Sequence, residues 1–281
     1  MQDAPTISVP GENLTASVRL AKNKDEIEDA QRLRYAVFYE EYGAKPDEKM
    51  KAEKRDFDEF DDITDHLVVV VKTPGDKKEK IVGTYRLLRQ EVAQRENKSF
   101  YSSDEYDISN LIGSGQTLLE LGRSCVLSEY RTKPILNLLW QGIADYITDN
   151  KIDLLFGCAS FQGTNIDDMA LQLSYMHHYH STPDDIAPVA LPSRNVEMNI
   201  IPKDEINEKR AFASLPPLIK GYLRLGATIG HGAVIDEQFN TTDVCIVVQT
   251  HLMTDRYRKY YERKIQKVMP GQKTAEQTEG V

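Results

Sequence analysis

The stretch from Thr117 to Leu127, T-L-L-E-L-G-R-S-C-V-L, puts two opposite charges inside an apolar run. Leu119, Leu121, Val126 and Leu127 give it the content of a buried strand. Glu120 and Arg123 are costly to bury there unless they pair with each other or with a ligand. Gly122, between them, marks a bulge or a close approach by another backbone. A strand that carries a charge pair and interrupts its own ladder can host chemistry that needs a desolvated carboxylate. It can equally hold a structural ion pair.

Other charged residues stand in similar places. Arg34 falls beside the apolar stripe of a helical pattern, either turned toward an anion or snorkelling to the surface. Asp58 and Asp61 flank Glu59-Phe60 in the acidic run D-F-D-E-F-D-D-I-T-D, and Arg86 lies within a strand pattern. The acidic run is no EF-hand, because counting from Asp56 puts Asp61 where glycine is needed and Leu67 where glutamate is needed. His177, His178 and His180 cluster, but no third ligand at a converging spacing makes them a zinc site, and they read as hydrogen-bonding imidazoles. Cys125 and Cys158 read as buried structural thiols. The two G-x-G triplets, at Gly113 and Gly230, lack the context of a dinucleotide site. No metal is expected.

The elements that must position these residues follow from periodicity. Ala16 to Ala21 reads as a first strand and Lys24 to Tyr42 as a helix closed by Gly43. His66–Lys72 and Ile81–Arg89 form an antiparallel hairpin, and Glu91 to Gly115 is a polar excursion carrying Tyr101 and Tyr106. After the strand with Glu120 comes a helix from Arg131 to Asn150, with Pro134 in its first turn. A strand over 153–161, helices over 165–179 and 218–225, a strand over 243–250 and a helix over 255–268 complete the pattern. This order predicts one α/β domain over residues 16–268, a mixed sheet covered by helices, with a loose arm over 1–15 and a flexible tail over 269–281.

Composition narrows the function classes. A formal net charge of −9 argues against general nucleic-acid binding. The three cysteines lie in strand-like contexts and the N-terminus lacks a signal-peptide layout, which predicts a cytoplasmic protein with reduced thiols. From Thr254 to Lys267 there are six Lys/Arg against Asp255 and Glu262. Arg256, Lys259 and Arg263 share a helix face that would suit an acidic protein or an anionic membrane.

L-R-Y-A-V-F at 33–38, D-E-F-D at 58–61, G-T-Y-R-L at 83–87 and E-L-G-R at 120–123 together resemble the acyl-transferring branch of the GCN5-related N-acyltransferase superfamily, which includes acyl-homoserine-lactone synthases. L-F-G-C-A-S-F at 155–161, L-P-P-L-I-K-G-Y-L-R-L-G-A at 215–227 and F-N-T-T-D-V at 239–244 are similar to bacterial ornithine N-acyltransferases. The resemblance runs from about Arg19 to about Tyr261. It implies a mostly antiparallel sheet flanked by helices, and transfer of a 3-hydroxyacyl chain from acyl carrier protein to L-ornithine, the first step toward ornithine lipid. It implies no bound cofactor, the donor being a phosphopantetheine thioester.

In that reaction an amine attacks a thioester, so a carboxylate must take a proton. Glu120 is the expected base, and Arg123 would orient it or a substrate carboxylate. Arg34, Asp58, Asp61 and Arg86 are expected to bind the zwitterionic acceptor, with the aspartates on its cationic groups. Acetyl-coenzyme A users in this superfamily carry a glycine-containing turn that holds a pyrophosphate, whereas Arg131-Thr132-Lys133-Pro134 stands here. Pro134 has no N–H to give, so Arg131 and Lys133 are expected to meet the single phosphate of a carrier-bound arm. The basic face at Arg256, Lys259 and Arg263 would dock acyl carrier protein or the anionic inner leaflet. A different amino-acid acceptor, an acyl-lactone product, or a non-catalytic carrier- or lipid-binding module remain as alternatives. Acyl length, acceptor range and oligomeric state are not legible.

Overall fold

Val68, Val69, Val70 and Val71 are all buried, so the strand that carries them is covered on both faces. The computed structural model describes residues 5–9, 13–76 and 78–270. Its strands are β1 (Thr6–Ser8), β2 (Thr15–Leu20), β3 (Asp65–Lys72), β4 (Lys80–Arg89), β5 (Tyr106–Asp107), β6 (Leu118–Val126), β7 (Leu154–Gln162), β8 (Val189–Ala190), β9 (Asn195–Val196), β10 (Thr228–Asp236) and β11 (Thr241–Gln249). Its helices are α1 (Lys24–Tyr35), α2 (Glu48–Glu53), α3 (Gln90–Arg95), α4 (Ser109–Gly113), α5 (Lys133–Asn150), α6 (Ala170–Tyr179), α7 (Glu208–Ser214), α8 (Pro217–Leu225) and α9 (Asp255–Ile265).

The strands join in the order β1-β2-β3-β4-β6-β7-β11-β10-β8-β5, with β9 beside β10. Pairing is antiparallel except at β6–β7 and β8–β10, which makes the expected mixed, mostly antiparallel sheet. Alternation along β3 divides the two faces. Leu67, Val69 and Val71 share a cluster with Ile135, Leu138, Leu139 and Ile143 of α5, while Val68 and Val70 share another with Ala30 and Leu33 of α1.

The centre of the sheet is where regular pairing fails. β6 and β7 are nine residues each, yet they pair only from Leu118–Glu120 to Leu154–Phe156 and then part. Gly157 sits at the parting point with φ +153, and a Cβ there would lie 2.1 Å from the Leu121 carbonyl oxygen. Only glycine lets the two backbones come that close before they diverge. On the other side of β6, Arg86 pairs with Gly122 and Thr84 with Cys125, so Arg123 and Ser124 fall in a bulge. Arg123 has φ +49, a conformation that L-residues adopt at a cost of order 1–3 kcal/mol. The bulge expected near Gly122 is therefore present.

Three local features differ from the sequence reading. The helix expected over 24–42 is α-helical only to Tyr35 and then widens into a π-helical turn, Ala36–Glu41. The wider turn brings Val37, Phe38 and Tyr42 to the wall of the central cavity. β10 was not anticipated, because Gly230 and Gly232 break its alternation; Gly230 is pressed against Pro188 and Gly232 against Asn195. Within the stretch expected as a loose arm, Thr6–Ser8 pairs with Thr15–Ser17, and Met269, expected in the tail, is buried in the core. Residues 271–281 of that tail lie outside the described residues. No helix among the described residues is long and apolar enough to cross a membrane.

Candidate active site

Arg34, Asp58, Asp61 and Arg86, from three separate stretches of chain, meet in one network with Arg123. Arg34 is fully buried; its Nε donates to Asp56 Oδ2 at 2.7 Å and its Nη2 to both Asp61 oxygens at 2.9 Å. Arg86 donates to Asp58 Oδ1 at 2.6 Å, and Arg123 reaches Asp56 and Asp58, each at 3.3 Å. The sixth member, Asp56, was not singled out as a site residue, although it opens the acidic run. It sits below the Arg34 and Arg123 guanidiniums and also accepts from the Tyr39 hydroxyl at 3.0 Å. Burial pushes the Asp56 carboxyl up, but the charges of Arg123 and Arg34 outweigh it and hold the group below the ordinary range. Three carboxylates thus answer three guanidiniums. With both Asp61 oxygens on Arg34 and both Asp58 oxygens on arginines, these aspartates are committed to the network.

Aromatic rings cap the arginines. Arg123 lies between Tyr101 and Phe239, 4.7 and 4.9 Å from the ring centres, and Arg86 lies over Phe60 and Tyr101. Tyr101 arrives from the polar excursion and Phe239 from the β10–β11 turn, and only long-range folding brings them here.

Glu120 is not Arg123's partner. It is buried on β6 and accepts from Tyr101 N at 2.9 Å, Ser102 N at 2.7 Å and Ser102 Oγ at 2.6 Å. Arg123 bulges away toward Asp56 and Asp58, so it does not orient Glu120 directly. Burial pushes the Glu120 carboxyl above its ordinary range, against the pull of the Ser102 and Tyr101 hydrogen bonds. It lies on the wall of the central cavity.

That cavity, about 620 Å³, opens in the wedge between the parting strands. Arg86, Glu120, Arg123 and Arg131 lie on its wall; Arg34, Asp58, Asp61 and Lys133 do not. Phe38, Leu136, Trp140, Pro217 and Leu218 give it an apolar wall, and Asp236 and Asp243 add carboxylates. Cys158 faces the same space, and its neighbour Cys245, together with burial, keeps it a thiol rather than a nucleophilic thiolate.

Burial, and next the charge of Glu105, push the Asp243 carboxyl up to about 7. In the unfolded chain the group titrates near 4, so between those values the folded state holds the extra proton, and stability falls as pH rises. Asp243→Asn is therefore expected to raise Tm at pH 8, by the equivalent of about 2–4 kcal/mol, and to change it little near pH 4. Thermal melts at the two pH values read this directly, and an equal shift at both would contradict it.

The remaining expected residues are dispersed. Arg131 is held by both Glu41 oxygens, at 2.5 and 2.7 Å, and by the Val126 carbonyl. Lys133 is exposed at the start of α5, behind Thr132, whose buried Oγ1 lacks a partner. Arg256, Lys259 and Arg263 are exposed on α9 and make no ion pair among the described residues. Two other members of that basic run are structural: Arg258 is buried on the Thr250 and Pro270 carbonyls, and Lys267 bridges Asp145 and Asp149. His178 and His180 hydrogen-bond the Ile201 carbonyl and the Tyr175 hydroxyl.

Residues 33–141, which include the network, Glu120 and the start of α5, match the acetyltransferase (GNAT) domain model. The chain is 46% identical over 257 residues to the L-ornithine N(alpha)-acyltransferase of Agrobacterium fabrum, covering 90% of this chain and 87% of that one. It is 50% identical to the enzyme of the same name from Brucella abortus, covering 87% and 88%. FeeM, an N-acyl amino acid synthase from uncultured soil microbes, superposes with a TM-score of 0.44 at 12% identity over 83% of this chain and 90% of that one. That distant likeness bears on neither substrate nor mechanism. The protein is an acyltransferase, and the chain belongs to the L-ornithine N(alpha)-acyltransferase family.

Proposed function

We propose that the protein transfers an acyl chain from the phosphopantetheine arm of acyl carrier protein to the α-amine of L-ornithine, the first step of ornithine lipid synthesis. The observation that carries this reading is Glu120, a buried carboxylate of raised pKa on the wall of a largely apolar cavity that also holds Asp236 and Asp243. The α-ammonium gives its proton to Glu120, directly or through one water, and the free amine attacks the thioester carbonyl. Arg123 and Ser124, in the bulge, line the cavity, and their backbone N–H groups are the proposed donors to the oxyanion. Collapse of the tetrahedral intermediate expels the pantetheine thiolate, which takes up the second proton from the nitrogen, and Glu120 then releases the first to solvent. Arg86 and Arg123, which line the cavity, receive the ornithine carboxylate. The apolar wall takes the acyl chain.

Carrier protein is favoured over coenzyme A by the helix start. Pro134 removes an N–H from the first turn of α5 and Arg131 is already bound to Glu41, which leaves Lys133 and the Thr132 hydroxyl for a single phosphate. Purified protein given 3-hydroxyacyl carrier protein, the same acyl group on coenzyme A, and a pool of amino acids with ornithine tests the reading by mass spectrometry. Acyl-ornithine formed mainly from the carrier-bound donor is expected. Another acyl-amino acid would replace the acceptor, and no product from either donor would leave a binding module.

The exposed cations of α9 suit the acidic carrier protein, or the anionic inner leaflet of the cytoplasmic membrane. Changing Arg256, Lys259 and Arg263 together to glutamate should raise KM for the carrier-bound donor severalfold and leave kcat in place. Steady-state kinetics with an unchanged KM would remove α9 from donor docking.

A further inference from the structure

No step of the acyl transfer set out above uses the acidic residues of the cavity. There, oxygens of Glu105, Asp236 and Asp243 lie within 4.8 Å of one another. The cation paired with the trio is Arg194, 3.5 Å from Glu105 and on its own side of the cluster. Two buried polar atoms at this end make no hydrogen bond of good geometry, Asp243 Oδ1 and Thr241 Oγ1, although the Ser160 and Thr241 hydroxyls lie close enough to draw the Asp243 carboxyl down. Their residues are 7% and 4% exposed. Asp236 pairs across the sheet with Thr241, and Thr241 and Asp243 are two apart on β11, so all three project from one face. All three line the cavity that holds Glu120. A buried acceptor with nothing to accept from costs roughly 1–3 kcal/mol, and a bound cation would relieve it.

Register fixes this end relative to Glu120. Glu120 stands beside Phe156 on β7, and Asp243 beside Ser160 of the same strand. Phe156, Cys158 and Ser160 share a face, and Glu120 on β6 and Asp243 on β11 flank β7 on opposite sides, so four residues along the strand and two strand spacings across it put their backbones roughly 16 Å apart. Cys158, midway, donates to Glu105 Oε2 at 3.3 Å, while Ser102 bonds Glu120. The side chains close that gap: Glu120 Oε1, Ser102 Oγ, Cys158 Sγ and Glu105 Oε2 follow one another at 2.6, 3.8 and 3.3 Å, a span on the scale of ornithine, whose nitrogens are four carbons apart, with a hydrogen bond at each end. The three N–H groups of an ammonium match Asp243 Oδ1, Asp236 and Thr241 Oγ1.

We propose that the Glu105–Asp236–Asp243 cluster, with Thr241, is the pocket for the δ-ammonium of the acceptor and so sets the selection of a cationic side chain. This rests on the reading of the protein as an ornithine N-acyltransferase. An acceptor with an uncharged side chain leaves Asp243 Oδ1 buried and unpaired, the situation in which enzymes discriminate most strongly. Burial and mutual repulsion already push the Asp243 and Glu105 carboxyls up, as expected where negative charge awaits a counter-ion.

The test compares kcat/KM for ornithine and for norvaline, the same chain without the δ-amine, using one acyl carrier protein donor. The unaltered protein should favour ornithine by at least about 100-fold. Asp243→Asn and Asp236→Asn should each narrow that ratio by about tenfold or more, the loss falling on ornithine. Asp236→Asn keeps the oxygen that accepts from Gln238 N and Phe239 N, so the turn survives in that variant. An unchanged ratio in the soluble variants, or parallel losses with both acceptors, overturns the proposal while ornithine acylation stands. Activity abolished by a chelator and restored by a divalent ion would assign the cluster to a metal and overturn it as well. An unaltered protein that acylates neither amino acid removes the underlying reading, and the inference with it.

Discussion

Glu120→Gln is expected to lower kcat, at saturating ornithine and donor, by about 10²–10⁴-fold, the usual worth of a positioned general base. The glutamine keeps an oxygen for Ser102 N and Ser102 Oγ and loses only the bond from Tyr101 N, so the strand should fold as before. The pH profile separates a base from a structural residue. Burial raises the Glu120 carboxyl above its ordinary range. The active, ionised form is therefore lost as pH falls through a value higher than the 4.3 or so of a free glutamate. That acid limb should be present in the unaltered protein and absent in the residual activity of the variant. Near-full kcat for Glu120→Gln from mildly acidic to mildly basic pH would remove Glu120 from the reaction.

The second large effect concerns stability. Arg34→Ala is expected to cost about 3–5 kcal/mol, because it leaves Asp56 and Asp61 buried with fewer partners. Arg34 is 0% exposed, so solvent cannot replace it. The pH dependence has a definite sign. Asp56 is held below its ordinary range when folded, so its contribution is present above the unfolded value near 4 and lost as pH falls through the folded one. Urea melts at neutral pH should show the full loss for Arg34→Ala, with the gap between variant and unaltered protein closing in acid. A loss under about 1 kcal/mol would mean the network is a solvated cluster.

The sequence carried the sheet well because its strands are long and apolar: the hairpin of β3 and β4, β6, β7 and β11 were each placed to within about two residues, the usual scatter of element ends. β10 was missed because its two glycines, needed for close backbone contact with Pro188 and Asn195, erase the period-two signal. The charged residues of the site were identifiable one at a time, since Arg34, Arg86, Glu120 and Arg123 each sit in an apolar context. Their pairing was not. Glu120 and Arg123 are three apart in sequence, but the bulge at Arg123 turns one toward Ser102 and the other toward Asp56 and Asp58. Asp56, Tyr101, Phe239 and Asp243 come from separate loops and strands, and no local pattern distinguishes them from surface polar residues or core aromatics.

The position of the acyl group in the product tests the central claim most directly. With the δ-ammonium at Asp236 and Asp243 and the α-amine at Glu120, tandem mass spectrometry should find the acyl chain on the α-nitrogen and a free δ-amine. Acylation at the δ-nitrogen would put the wrong end of ornithine beside Glu120 and contradict the account.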